Sequence, residues 1–303
     1  MSIDHSALPN YYIVNVVFQV IYFFYRRERR LHIACGGAMV NSNSSSKTGK
    51  IQSVDRALTI LEIISDAEDG LTLAQIAQKM NLPKSTVHGL VSTLRDHRYV
   101  KQADDDGRYL MGMQLFEMGT KAARSWDIRD AAKPVMRWLS KEFGETVHLG
   151  CEDNGEVLYL DKIAADSLIT IVSDIGARLP MHCSGIGKAL LAHKSESEIK
   201  RYISNKGLVP LTGRTITNRD EFFRELEKVK EQGFALDDGE IMEGLRCVGA
   251  PIYDADGLVR YAVSVSGQVK DIYGKRLERL IIETKRAAKE ISYALGKGKG
   301  HIR

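Results

Sequence analysis

Apolar residues recur at spacings of three and four from Ser53 to Ala67. Val54, Ala57, Leu58, Leu61, Ile64 and Ala67 form one stripe, which predicts an amphipathic helix with Ser53 as its N-cap. Glu68-Asp69-Gly70 ends it. A second short helix starts at Leu71-Thr72 and runs to Met80, with Leu73, Ile76, Ala77 and Met80 inward. Asn81-Leu82-Pro83 is a tight break, and Pro83, with no N–H to donate, suits a helix start. A third helix runs from Lys84 to about His97, with Val87, Leu90, Val91 and Leu94 inward. The segments Tyr99–Gln102 and Arg108–Met111 flank the turn Asp104-Asp105-Asp106-Gly107, which predicts a hairpin.

Helix, helix, break, helix and hairpin over residues 50–112 is the order of a winged helix-turn-helix, whose helix after the break lies in the DNA major groove. Its solvent face here is Lys84, Ser85, Thr86, His88, Gly89, Ser92, Thr93 and Arg95. These short polar and basic groups suit phosphates and base edges. Arg108, at the wing tip, is expected to reach a phosphate or the minor groove. The competing reading is a solvated face on a protein-binding winged helix.

Residues 113–133 continue as a helix with Leu115, Met118, Ala122 and Ala123 on one side, and 113–129 are expected to link two domains. That stripe either pairs with a partner chain or packs on its own. Over residues 130–303 the pattern alternates. A helix at Ala131–Glu142 precedes strands at Thr146–Cys151, Val157–Ile163 and Ile169–Val172, with Asp153-Asn154-Gly155 as a hairpin signal. Helices fit Ser184–His193, Ser195–Ser204 and Asn218–Gln232. Strands Ala235–Asp237, Arg246–Tyr253 and Val259–Ser266 follow, and a long helix from Tyr273 to Leu295 closes the domain. Strands in hairpins flanked by helices predict an α+β domain with a mainly antiparallel sheet.

Composition adds bounds. With 303 residues, 44% apolar and 27% charged, the chain is neither disordered throughout, collagen-like nor wholly membrane-embedded. At roughly 150 residues per domain it holds two. The net charge of +4 divides as +3 over residues 1–49, −1 over 50–112 and +2 over 113–303, so the total says little about nucleic acid. Cys35, Cys151, Cys183 and Cys247 are far apart, which fits reduced thiols in the cytoplasm better than a disulfide framework. The apolar run Tyr11–Tyr25 is shorter than the ~20 residues of a spanning helix, and its basic cluster follows it rather than leading it. No membrane association is expected. Residues 1–49 are expected to be a disordered or untranslated tail, with translation starting at Met39.

Candidate chemistry is sparse. The stretch Gly185-Ile186-Gly187-Lys188-Ala189 fails as a P-loop: His182 stands where a glycine is needed and Ala189 where a Ser or Thr is needed. What survives is a helix opened by Ser184 and backbone N–H groups. That is an anion site, or else plain capping with close packing around the glycines. Alternation puts Ser264 and Ser266 on one face, near the strand that carries Cys247. Two hydroxyls, a thiol and a helix start converging on one cavity suit a small carboxylate. Cys247 as a nucleophile would need His182 or His148 as base. A redox or metal sensor would draw on Cys151, His182, Cys183 and Cys247, which lack the usual close ligand pairs apart from His182-Cys183. No cofactor or metal is expected.

Ser53-Val-Asp-Arg-Ala-Leu-Thr-Ile-Leu-Glu62 and Leu82-Pro-Lys-Ser-Thr-Val-His88 resemble the start of the IclR family of bacterial transcriptional regulators. Leu179–Ala192, Asp237–Pro251 and Val263-Ser-Val-Ser-Gly267 resemble its effector-domain signatures, so the resemblance covers about residues 50–295. It implies a winged helix-turn-helix, a linker helix used in dimerisation and a GAF-like effector domain. It also implies a homodimer or dimer of dimers on palindromic operator DNA, repressing a catabolic operon in answer to a small organic acid such as a 2-keto acid or sugar acid. The effector contacts it implies are Gly185, Ile186, Asp237, Cys247, Ser264 and Ser266, with Leu168, Ile171, Leu179 and Leu245 as apolar wall. The chain departs from the family at Gly89, where many members carry Arg. A mid-helix glycine costs about 1 kcal/mol relative to alanine.

Overall fold

The computed structural model describes residues 51–103, 106–124, 127–165 and 174–298. The tail 1–49, the strand expected at Ile169–Val172 and the expected site residues Leu168 and Ile171 lie outside them. The described residues divide into two compact units, 51–124 and 127–298.

In the first unit, α1 (Gln52–Ser65), α2 (Leu73–Met80) and α3 (Lys84–Asp96) precede β1 (Val100–Gln102), β2 (Tyr109–Met111) and α4 (Met113–Arg124). The α2 start is a capping box: the Thr72 hydroxyl accepts from the Gln75 N–H, and the Gln75 side chain accepts from the Thr72 N–H at 2.9 Å. This places Leu71 and Thr72 before the helix rather than in it. Freed from α2, Leu71 bridges Tyr109 and widens the hairpin's ladder. Asn81 takes up the left-handed conformation (φ 51°) that turns the chain between α2 and α3. The core is Ile60, Ile64, Ile76, Val87, Val91, Leu94, Val100 and Tyr109.

Helix α1 keeps only part of its expected inward face: Ala57, Leu61, Ile64 and Ala67 meet the core. Val54 and Leu58 are 53% and 56% exposed, while Ile60 and Ile64 are buried. Val54 and Leu58 are the part of the stripe that the core leaves exposed. Nor is Ser53 the cap; Ile51 occupies that position, with no side-chain cap. The helix expected over 113–133 is two, α4 and α5 (Asp127–Phe143), with residues 125 and 126 outside the described set.

In the second unit, α5 precedes β3 (Thr146–Asp153), β4 (Glu156–Ile163) and β5 (Arg178–Pro180). Helices α6 (Gly185–Leu191), α7 (Glu196–Lys206) and α8 (Arg219–Gln232) follow. Strands β6 (Ala235–Asp238), β7 (Leu245–Tyr253) and β8 (Val259–Gln268) and the long α9 (Gly274–Gly298) complete it. One antiparallel sheet forms in the order β5-β4-β3-β8-β7-β6. The β3–β4 hairpin closes on Asn154 and Gly155, both at positive φ, as an Asn-Gly turn requires. Alternation divides the sheet's side chains. Val147, Leu149, Val248, Ala250, Val263 and Val265 pack in a core with α5 and α9 residues such as Met136, Leu139, Leu280 and Ile291. The opposite face takes Val157, Tyr159 and Ala262 into a second core with Ile186, Leu190, Ile203, Phe222 and Leu226.

Candidate functional site

Antiparallel register builds two rows of side chains on the α6 face of the sheet. Asp237 stands opposite Cys247, and Cys247 opposite Ser266. In the next row Gly249 and His148 flank Ser264. Helix α6 comes down close to these rows because glycines clear the way. A Cβ on Gly249 would lie 2.3 Å from the Gly185 carbonyl oxygen, and one on Gly187 would lie 2.2 Å from that of Met181.

Between helix and sheet is a cavity lined by Leu179, Gly185, Ile186, Asp237, Leu245, Cys247, Ser264 and Ser266. These are the expected effector residues that the structure describes. His148, Tyr159, Ser184 and Ile241 complete the lining. The free volume is about 20 Å³, room for about one water. The Ser184 hydroxyl accepts from the Gly187 N–H at 3.1 Å and donates to the Pro180 carbonyl at 2.8 Å, so it serves as a helix cap. Of the two readings of this glycine stretch, capping and close packing describe what these groups do here.

The cavity's electrostatics centre on Asp237, which is 1% exposed. Its Oδ1 accepts from the backbone N–H groups of Glu240 at 2.8 Å and Ile241 at 3.4 Å. Its Oδ2 is buried and hydrogen-bonded by the Cys247 thiol, a weak donor. Burial pushes the carboxyl up to about 6, against the opposing pull of the two N–H groups and Lys188. Burial also holds His148 neutral, pulling it down to about 3; its ring stacks on Tyr159 with centroids 4.6 Å apart.

Sequence reasoning missed the ion cluster behind this wall. Lys188, on α6 and 1% exposed, donates to Glu225 at 2.9 Å, to the Leu236 carbonyl at 2.6 Å and to Glu240. Burial disfavours its charge, but the two carboxylates outweigh burial and the ammonium's value is raised. Thr215 and Thr212 donate to the carbonyls of Glu240 and Gly239, each at 2.7 Å, tying down the loop after β6.

Neither cysteine is set up for chemistry. Burial pushes the Cys247 and Cys183 thiols well above the ordinary value, with Asp237 adding to the effect on both. A thiol held protonated is a poor nucleophile. The His182 ring, pulled down by burial, faces the Tyr202 hydroxyl at 3.2 Å and the Val209 carbonyl at 3.0 Å. Among the described residues no group of three or more His, Cys, Asp or Glu could hold a metal ion, and no helix is long and apolar enough to cross a membrane.

In the first unit, Lys84, Ser85, Thr86, His88 and Arg95 are exposed on α3, and Ser92 is half-buried. The Arg95 guanidinium donates to the Gln102 side chain at 3.3 Å. Arg108 is turned back on its own hairpin instead of reaching outward: it pairs with Asp106 at 2.6 Å and donates to the Gly70 carbonyl at 3.2 Å. A carboxylate two residues away outcompetes open solvent for the guanidinium. At Gly89 an added Cβ would meet nothing within 4 Å.

Residues 120–293 match the family profile described as bacterial transcriptional regulator IclR, C-terminal, and residues 53–104 match the IclR helix-turn-helix domain. The transcriptional repressor IclR of Escherichia coli is 33% identical over 251 residues, 82% of this chain and 92% of that one. A crystal structure of the Thermotoga maritima IclR covers 81% of this chain and 99% of its own, at 34% identity and a TM-score of 0.69. An IclR homologue from Microbacterium hydrocarbonoxydans, complexed with 4-hydroxybenzoate, shares the fold at 24% identity and a TM-score of 0.72, over 80% of this chain and 98% of its own.

Proposed function

The chain belongs to the IclR family of bacterial transcriptional regulators, and from that premise we propose that it represses a catabolic operon until a small organic acid binds its second unit. Its close relatives are transcriptional regulators, not enzymes. The observation that carries the reading is the cavity under α6, where residues far apart in sequence meet: Gly185, Ile186, Asp237, Cys247, Ser264 and Ser266. A 2-keto acid or sugar acid is the effector class this polar, cation-free lining supports. In the Microbacterium relative an aromatic acid is the bound molecule.

DNA contact falls to Lys84, Ser85, Thr86, His88, Ser92 and Arg95 of α3, with Arg108 free to join once it leaves Asp106. Few cations are involved, so the salt dependence is shallow and one winged helix binds weakly. Useful affinity then needs two half-sites, a palindromic operator and a homodimer or dimer of dimers in the cytoplasm. The apolar residues left in water on α1 and α4, Val54, Leu58, Met113 and Phe116, support that pairing. Effector binding acts by population shift, favouring the state of the dimer that does not match the operator's half-sites.

A gel shift on the DNA upstream of the gene, with and without glyoxylate, pyruvate and 2-keto-3-deoxygluconate, tests the reading. A band retarded at low salt and released by an acid supports it. No retarded band at low salt overturns it.

A further inference from the structure

Resting on the reading of the chain as a DNA-binding regulator, we propose that Arg98 is a positioning residue: it clamps the reading helix α3 to α4 and so sets how far apart two paired chains hold their reading helices. The backbone points to it first. Among the described residues three besides glycine have positive φ: Asn81, Arg98 and Asn154. Asparagine tolerates that conformation; an arginine is strained there and a glycine would not be. Arg98 ends α3 in a helix stop. Its N–H donates to the Arg95 carbonyl at 2.8 Å, and the Tyr99 N–H donates to the Leu94 carbonyl at 2.9 Å. In that pair of bonds the left-handed position is usually held by glycine.

What arginine adds is its side chain. Nη2 donates to Gln114 Oε1 at 2.9 Å, and Nη1 lies 3.7 Å from Glu117 Oε1. Both partners stand on α4, about one turn apart. The backbone closes the same joint. The Arg98 carbonyl accepts from the Gln114 N–H at 3.2 Å, and the Tyr99 carbonyl accepts from the Gly112 N–H at 2.8 Å. A Cβ on Gly112 would lie 2.1 Å from the Arg98 carbonyl oxygen, so the two segments touch with no room to spare. The Tyr99 hydroxyl donates to Met118 Sδ at 3.1 Å. Two residues after α3 thus grip α4 at positions 114, 117 and 118.

The ion pair with Glu117 is exposed and adds little to stability, so the clamp does no more than offset the strain of its own backbone. Its product is orientation. Helix α3 exposes Lys84, Ser85 and Thr86 to DNA, while α4 leaves Met113 and Phe116 in water for pairing. The joint between these helices fixes the spacing of two reading helices, and a dimer engages both half-sites only at the right spacing. A loose joint spreads the dimer over other spacings, and its apparent affinity falls by the fraction that still fits.

The test is fluorescence anisotropy of the full chain on the DNA upstream of the gene, over a range of salt, with thermal melts beside it. Arg98→Gly keeps the helix stop and removes the clamp. Gln114→Ala removes the clamp's main partner and keeps the charge. Each is expected to weaken DNA binding about threefold to tenfold, and the double variant no further than either alone. Arg98→Gly is expected to melt at the native temperature or above, so the lost affinity does not follow from lost fold. Native binding by Arg98→Gly, a lower melting temperature for it, or losses that add in full in the double variant overturn the inference and leave the regulator standing. So does a salt slope reduced by about one unit in Arg98→Gly beside native binding by Gln114→Ala, which marks Arg98 as a phosphate contact. No binding by the native protein at low salt overturns both readings.

Discussion

Replacing Asp237 by asparagine tests the cost of keeping a carboxylate in the cavity beneath α6. The carboxyl rises from its ordinary 3.8 to about 6 on folding, with burial as the largest cause. A shift of about two pK units corresponds to about 3 kcal/mol. The folded state holds this proton more tightly than the unfolded chain. Asp237 therefore favours folding fully below about pH 4, and that contribution is lost as pH rises through about 6. Asparagine carries no charge at any pH. The stability of Asp237→Asn over the native protein should grow between about pH 4 and pH 6 and level off above about pH 7, near 3 kcal/mol. Glu240, raised to about 7 by burial and in part by the Asp237 charge, titrates in the same range, so the difference reports Asp237 together with its coupling to Glu240. Paired urea unfolding curves without effector measure it. A difference that stays flat across the range, or one that shrinks as pH rises, refutes the reasoning.

Two glycines should respond in opposite senses to the same substitution. Gly89→Ala is expected to raise the first unit's stability by about 1 kcal/mol in thermal melts, since its Cβ meets open space. Gly249→Ala should lower the second unit's by about 3 kcal/mol and abolish acid binding, because its Cβ collides with the Gly185 carbonyl under α6. Gly89→Arg should tighten operator binding in fluorescence anisotropy and steepen the salt slope by about one unit; unchanged binding, together with loss on Lys84→Ala, would place the contact elsewhere on α3. Lys188→Met, which strands Glu225 and Glu240, should cost about 3–5 kcal/mol in chemical denaturation.

What the chain disclosed about itself follows the range of the interactions. Ser264 and Ser266 share a face because strand periodicity is two, and Asn154-Gly155 closes a hairpin because its backbone conformation is local. The α1 stripe was legible where Ala57, Leu61 and Ile64 meet the core, but not at Val54 and Leu58, which face outward. A helical pattern does not say that its first turns stay in water, and Ile60, outside the expected stripe, joins Ile64 in the core. Thr72 as a cap was hidden by Leu71, whose apolar side chain extends the helical stripe while its backbone joins Tyr109. The folding back of Arg108 had a local signal in Asp106, two residues away. The Lys188 cluster had none. Its partners Glu225 and Glu240 come from another helix and a later loop, and nothing in their spacing marks a buried ammonium.

The outward face of α1 has a thermodynamic consequence for the free protein. Val54 and Leu58 lie in water beside a module whose own core is a handful of side chains. If pairing covers that face, unfolding becomes a change of molecularity, and the melting temperature climbs with protein concentration rather than being a constant of the sequence. Dilution would then weaken the fold before it weakened any single contact. The cellular amount of the regulator, as much as its affinity for DNA, would set how much of it exists in a state able to bind an operator.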